Sequence, residues 1–299
     1  MSTPPFLTLP PSARSLRLTT GRGEFAALWG RPAGAPVRGT ALLLPGFTGS
    51  KEDFIALLDP LARAGFQTVA VDQRGQYETG GPDDEAAYTL DALAQDLFAI
   101  TAAVREALAA DGTGGPLHLL GHSFGGYVVR EALLRAADAG PLPWDSLTLL
   151  STGPSTVCAD EAGRAELLMA ALQVMDLEAI WQAMREMEAA AGTAPTVRDP
   201  EVAEFMHRRW LANVPASLHS TARQLTVEPD RVDELALVGL PKLVVSGESD
   251  YAWPVNEQAK MAARLGARYV TVAGAGHSPN AENPHATAEA LAEFWLTLS

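Results

Sequence analysis

The sequence predicts an α/β fold: a mostly parallel, doubly wound sheet with a helical cap inserted between two strands. Three observations predict it. Short, continuous apolar runs such as "TALLLPG" and "FQTVAVD" alternate with amphipathic helical patterns over the first half of the chain, as expected of strands covered on both faces by crossover helices. From about residue 155 to 235 the pattern is helical only. At "LPKLVVSGESD" the strand pattern returns, so the interruption lies inside one sheet. The chain thus divides into a core of residues 1–154 and 236–299 and a cap of residues 155–235.

The elements follow in order. "SLRLTT" and "EFAALWG", joined by "GRG", read as a hairpin. "TALLLPG" is a buried strand running into a glycine turn. "SKEDFIALLDPLARAG" has a helical pattern with Ser50 as cap, Gly65 as stop and Pro60 as a kink point. "FQTVAVD" is a second buried strand, and the amphipathic "TLDALAQDLFAITAAVREALAAD" starts at Thr89. Strand "PLHLLGH", helix "GGYVVREALLRAADAG" and strand "DSLTLLS" continue the alternation. The insertion includes "AELLMAALQVMDLEAIWQAMREMEAAAG" and "EVAEFMHRRWLANV". A helix near 255–265, a strand "ARYVTVAG" and a last helix "ENPHATAEALAEFWLTL" complete the chain.

The bulk numbers exclude several function classes. With 299 residues and 47 % hydrophobic content the chain can bury a large core. A net charge of −14 provides no basic field to attract nucleic acid or an anionic membrane. The insertion holds 14 acidic and 7 basic residues, half of that excess, which reads mostly as a solvated outer face. One cysteine, Cys158, permits no internal disulfide, which fits a reducing compartment and a cytoplasmic protein. Cys158 reads as a buried small hydrophobe. "MSTPPFLTLPPSAR" lacks a basic region followed by an apolar one; it is a loose lead-in and not a signal peptide. No run approaches the ~20 apolar residues that span a bilayer.

The chemistry concentrates in "LLGHSFGGYVV", where Ser123 stands between Gly121 and Gly125. The segment joins a buried strand to a helix. A tight strand-to-helix turn forces its central residue into strained angles, and the glycines remove the Cβ atoms that would collide with it. The serine hydroxyl is then exposed at the sheet's edge, beside the N–H groups that open the helix. A serine needs a base, and the base needs an orienting carboxylate. Both belong at the ends of later strands, in the order Ser, Asp, His. "LVVSGESD" supplies Asp250 and "YVTVAGAGH" supplies His277, with 27 residues between them.

With these motifs the chain resembles the α/β-hydrolase superfamily, in its capped, esterase-like branch, from about Leu16 to Leu298. The resemblance implies backbone oxyanion donors at Phe47, in "LPGFTGS", and at Phe124. Many relatives carry His-Gly where this chain has Pro45-Gly46, a departure that bears on the loop's hydrogen bonding. "VDQRGQYETGG" resembles the family's Asp-x-Arg-Gly turn, where Asp72 and Arg74 read as scaffold. Asp250, and not its neighbour Glu248, falls where the family places its acid. Serine at the turn argues against the dehalogenase and epoxide-hydrolase branches, which use aspartate.

Other candidates have plainer readings. His122 packs or hydrogen-bonds beneath the turn. His118 and His122 sit four apart on a strand, ~13 Å, too far for one metal ion. His207 and His219 read as surface or cap-packing residues, and His285 as exposed. There is no phosphate loop, no dinucleotide-binding context and no His-Glu-x-x-His, so no cofactor and no metal are expected. Trp253, with Trp181, Met184, Phe205 and Trp210 of the cap, suggests an apolar acyl or aryl pocket; the cap aromatics serve equally well as anchors of cap to core. The expectation is a serine esterase for small or medium apolar acids, with a small-molecule ester as partner and no nucleic acid or membrane. Lactone, amide, thioester or carbon–carbon cleavage and acyl transfer use the same residues, and a non-catalytic ligand receptor is the alternative outside enzymes.

Overall fold

The computed structural model describes residues 1–34, 36–192, 197 and 199–298. Eight strands form one sheet: β1 (Ala13–Thr20), β2 (Gly23–Gly30), β3 (Gly39–Leu44), β4 (Phe66–Val71), β5 (Leu117–His122), β6 (Ser146–Leu150), β7 (Lys242–Gly247) and β8 (Arg268–Val272). Their order is β1-β2-β4-β3-β5-β6-β7-β8. The β1/β2 and β2/β4 pairs are antiparallel. Every later pair is parallel. The parallel register sets Leu44 beside Gly121 and His122 beside Leu150. The turns after β3, β5 and β6 therefore emerge side by side.

Helices α1 (Ile55–Arg63), α2 (Leu90–Ala110) and α3 (Phe124–Ala139) alternate with the strands, and α9 (Val255–Leu265), α10 (Pro279–Glu282) and α11 (Pro284–Leu296) follow β7. One apolar cluster lies between the sheet and α2, α3 and α9. The other lies on the opposite face, against α1 and α11. All residues of β3, β4, β5, β6 and β7 are buried, which is why they read as continuous apolar runs. The region expected as one helix from Ser50 to Gly65 is a 3₁₀ turn, Lys51–Phe54, followed by α1. Gly65 ends it at φ +93°.

Among the described residues, five helices lie between β6 and β7: α4 (Ala159–Ala171), α5 (Leu177–Ala191), α6 (Pro200–Leu211), α7 (Pro215–Val227) and α8 (Val232–Ala236). They touch the loops beyond the C-terminal ends of β3 and β4. Arg209 of α6 pairs with Asp53 at 2.6 Å, both side chains buried. Val214 N–H donates to Gly75 O (3.0 Å), and Gln224 Nε2 to Tyr88 O (2.8 Å). By contrast, Val232 and Leu235 of α8 belong to the apolar cluster beneath the sheet. The N-terminal segment is no loose lead-in. Ser2 is buried, its Oγ 2.7 Å from Ser278 Oγ, and its carbonyl accepts from Arg209 Nη2 at 2.7 Å. Among the described residues, no helix is long and apolar enough to cross a membrane.

Candidate active site

Ser123 occupies the turn between β5 and α3 at φ 53°, ψ −122°. A non-glycine residue at positive φ is strained, and only over-determining surroundings hold it there. Ser123 N–H donates to Leu150 O (2.9 Å), and its carbonyl accepts from Gly126 N–H (2.8 Å). The glycines act differently from the sequence expectation. A Cβ at Gly121 would strike the Gly125 carbonyl, and one at Gly125 would lie 2.6 Å from Pro45 O and 2.7 Å from Leu44 O. The glycine whose Cβ would crowd Ser123 is Gly46, at 2.8 Å from Ser123 Cβ.

Three side chains converge. His277 Nε2 lies 3.0 Å from Ser123 Oγ, and His277 Nδ1 lies 2.8 Å from Asp250 Oδ1. With Nδ1 donating to the carboxylate, Nε2 is free to accept the serine proton. Asp250 Oδ1 also accepts from Ala252 N–H (2.8 Å) and Trp253 N–H (3.3 Å), and Oδ2 accepts from Gln258 Nε2 (2.8 Å). Burial pushes Asp250 up, but these donors and His277 outweigh it and hold the carboxyl below its usual value. Glu248 faces elsewhere and accepts from Gly274 N–H at 2.8 Å.

Phe47 and Phe124 flank Ser123 along the chain and across the sheet. Phe124 opens α3, so its N–H has no intrahelical acceptor. Among the described residues, Phe47 N–H has no hydrogen-bond acceptor. Phe47, Trp181, Met184 and Trp210 pack in one apolar cluster, and Phe205 lies in a neighbouring cluster that also touches Trp181. Met1 packs against both. Trp253 belongs to the apolar cluster between the sheet and α2, α3 and α9, against which Phe47 also packs. The Trp253 ring centroid is 6.0 Å from that of His277, and its Nε1 donates to Ser155 O at 2.9 Å.

Several contributors carried no local signal in the sequence. Gln258 closes the carboxylate's hydrogen bonding. Glu282 accepts from the N–H groups of Gly276 and Ser278 on either side of His277. Gln73 and Gln76 reach the Pro45-Gly46 loop. His122 Nε2–H donates to His277 O (2.9 Å). Burial, with His277 beside it, pushes the His122 imidazole down to about 3, so it is neutral at ordinary pH. Asp72 accepts from Lys51 N–H (2.7 Å), and Arg74 is anchored on Asp96 (2.6 Å). His118 stacks on Trp295 and meets Ser146 Oγ at 2.9 Å; His207 meets Glu178, and His219 meets Glu85. Cys158 is half-buried, not buried; it precedes α4 and its Sγ donates to Tyr251 O at 3.1 Å.

Residues 41–290 match the alpha/beta hydrolase family. The chain belongs to that family. It is 28 % identical over 284 residues to a proline iminopeptidase of Lactobacillus delbrueckii subsp. lactis, covering 87 % of this chain and 90 % of that protein. Among solved structures, a thermophilic esterase from Thermogutta terrifontis matches with a TM-score of 0.70 at 22 % identity, covering 95 % of this chain and 99 % of that one. The enol-lactonase from Burkholderia xenovorans LB400 matches with a TM-score of 0.72 at 18 % identity, covering 94 % and 100 %. These likenesses establish the fold. The alpha/beta hydrolase architecture is thus common to proteins described as acting on esters, lactones and peptides.

Proposed function

We propose that the protein is a serine hydrolase that cleaves carboxylic esters of small or medium apolar acids through an acyl-enzyme. The observation that carries this reading is the continuous Ser123–His277–Asp250 chain of hydrogen bonds, at 3.0 and 2.8 Å. Ser123 Oγ attacks the ester carbonyl as its proton passes to His277 Nε2. Asp250 keeps the proton on Nδ1 and stabilises the imidazolium. The N–H groups of Phe47 and Phe124 hold the oxyanion, and His277 returns the proton to the leaving alcohol. Water, activated by the same histidine, then releases the acid.

In this reading residues 155–235 form a cap over a core of 1–154 and 236–299. Phe47, Trp181, Met184, Phe205 and Trp210 bound an apolar acyl pocket, and Trp253 packs beside the histidine. The partner is a small molecule, because a chain of net charge −14 has no field for nucleic acid.

The proline iminopeptidase relative favours a second reading, cleavage of an amide next to a free amine. The experiment compares p-nitrophenyl esters of two to eight carbons with proline p-nitroanilide. Ester turnover that disappears in Ser123→Ala supports the esterase; turnover of the anilide alone would replace it with the peptidase.

A further inference from the structure

The loop that would carry the first oxyanion donor is held internally by Gly49 N–H, which donates to Gly46 O, and by Thr48 Oγ, which donates to Phe47 O at 2.6 Å. Pro45 has no N–H to donate. Thr48 sits at φ +56°, outside the region that non-glycine residues favour. A small void of about 10 Å³ lies against it, lined by Phe47, Gln73, Gln76, Phe124, Asn213 and Thr221. That is room for about one water.

Two buried glutamines of the β4 turn add bonds from outside the loop. Gln73 Nε2 donates to Pro45 O at 2.8 Å. Gln76 Nε2 donates to Gly46 O at 2.8 Å, and Gly49 N–H joins it there at 3.1 Å. The Gln76 amide is itself oriented, because its Oε1 accepts Gln73 N–H at 3.0 Å. One end can only accept and the other only donate, so the amide has one satisfied orientation.

Gly46 O and Phe47 N–H belong to the same peptide unit. In a trans peptide these two groups point in opposite directions, and among the described residues no peptide bond is cis. A bond that holds Gly46 O toward Gln76 therefore turns Phe47 N–H the other way. Gly46 itself abuts the serine, since a Cβ there would lie 3.2 Å from Ser123 Oγ. We infer that Gln76, braced by Gln73, is a positioning residue that aims the Phe47 amide at the oxyanion formed on Ser123. The inference rests on the proposed ester hydrolysis at Ser123.

The test is Gln76→Met, which keeps the side chain's length and removes both bonds. Gln76→Glu is its companion, keeping the acceptor for Gln73 N–H and replacing the donation to Gly46 O with carboxylate–carbonyl repulsion. With p-nitrophenyl acetate, kcat should fall about 10- to 100-fold in both, somewhat less than outright loss of an oxyanion donor, with KM within about twofold. Binding of an alkyl trifluoromethyl ketone, which adds Ser123 to form a tetrahedral oxyanion, should weaken by the same factor as kcat/KM. Binding of the matching amide, a ground-state analogue, should not change. Wild-type turnover in either folded variant, or equal weakening of both inhibitors, would overturn the assignment and leave the serine hydrolase standing. Loss of the fold in both variants would make the glutamines mere scaffold and overturn it as well. A wild type without ester turnover would remove the underlying reading along with it.

Discussion

The sheet end that holds Ser123 and the helices inserted after β6 are built on opposite plans. Around Ser123 every residue of β3, β5, β6 and β7 is buried, and backbone carbonyls leave no room for a Cβ at Gly121 or Gly125. Among the described residues, α4 fully buries only Ala165, and α5 only Ile180. Leu167, Val174, Met175 and Met187 of this region are exposed. The inserted helices reach the loops after β3 and β4 through polar anchors, chiefly Arg209–Asp53 and the Val214 and Gln224 bonds. Among the described residues of these helices, only Leu225 of α7 and Val232 and Leu235 of α8 are buried members of the core apolar cluster. Chemistry needs reacting atoms held to a fraction of an ångström. In the proposed reading Met184 bounds the acyl pocket, and a pocket for variable acyl groups gains from such soft, adaptable side chains. Substitutions at the sheet end should therefore act on kcat, and those in the inserted helices on the choice of substrate.

The largest expected effect is at the sheet end. Ser123→Ala or His277→Ala should lower kcat by about 10⁴- to 10⁶-fold with an almost unchanged melting temperature. A variant that keeps wild-type turnover would break the comparison outright. Asp250→Asn comes next, at roughly 10⁴-fold, because the amide would stabilise the wrong histidine tautomer. Steady-state kinetics on a p-nitrophenyl ester measures it, and a small loss there with a large one in Glu248→Gln would move the acid.

A third prediction probes, through pH, the buried start of the strand that leads to Ser123. Burial pushes His118 from its usual 6.5 down to about 4. The folded state refuses a proton that the unfolded chain accepts. The stability is thus fully present above about 6.5 and is lost as pH falls toward 4, by about 1.4 kcal/mol per pH unit. In His118→Gln, urea unfolding between pH 6.5 and pH 4 should show a slope shallower by about that amount. An unchanged slope would mean that this part of the strand admits the proton. The smallest effect belongs to the inserted helices. Met184→Ala should shift the octanoate-to-acetate ratio of kcat/KM upward by about threefold to tenfold, within the range that one to a few methylenes command, with kcat for acetate unchanged. Equal loss on every ester would place Met184 in the chemistry, against the comparison.

The two plans also explain what the sequence revealed. Ser123 was legible because its glycines punctuate a strand-to-helix junction, a local event. Asp250 and His277 were legible because each ends an apolar run of the period that marks a buried strand. The eight-stranded sheet followed from the same periods. The break between Phe54 and Ile55 was not visible, since a 3₁₀ turn and an α-helix share their first apolar positions. Gln73, Gln76, Gln258 and Glu282 were missed for a different reason. Each acts by reaching a backbone group or carboxylate supplied by another loop, and no spacing along the chain encodes that meeting. Met1 and Ser2 read as loose for the same cause, because Ser278 and Arg209, the partners of Ser2, lie more than 200 residues away, and Met1 packs on the distant cluster of Ile180, Trp210 and Leu218.

The most direct test of the account is whether Ser123 is an activated nucleophile. The purified protein is treated with a small sulfonyl fluoride and a fluorophosphonate, then read by intact mass and peptide mapping. The account predicts one adduct, on Ser123, that is lost in His277→Ala. Folded protein that takes up neither reagent, or an adduct that persists without His277, would contradict it.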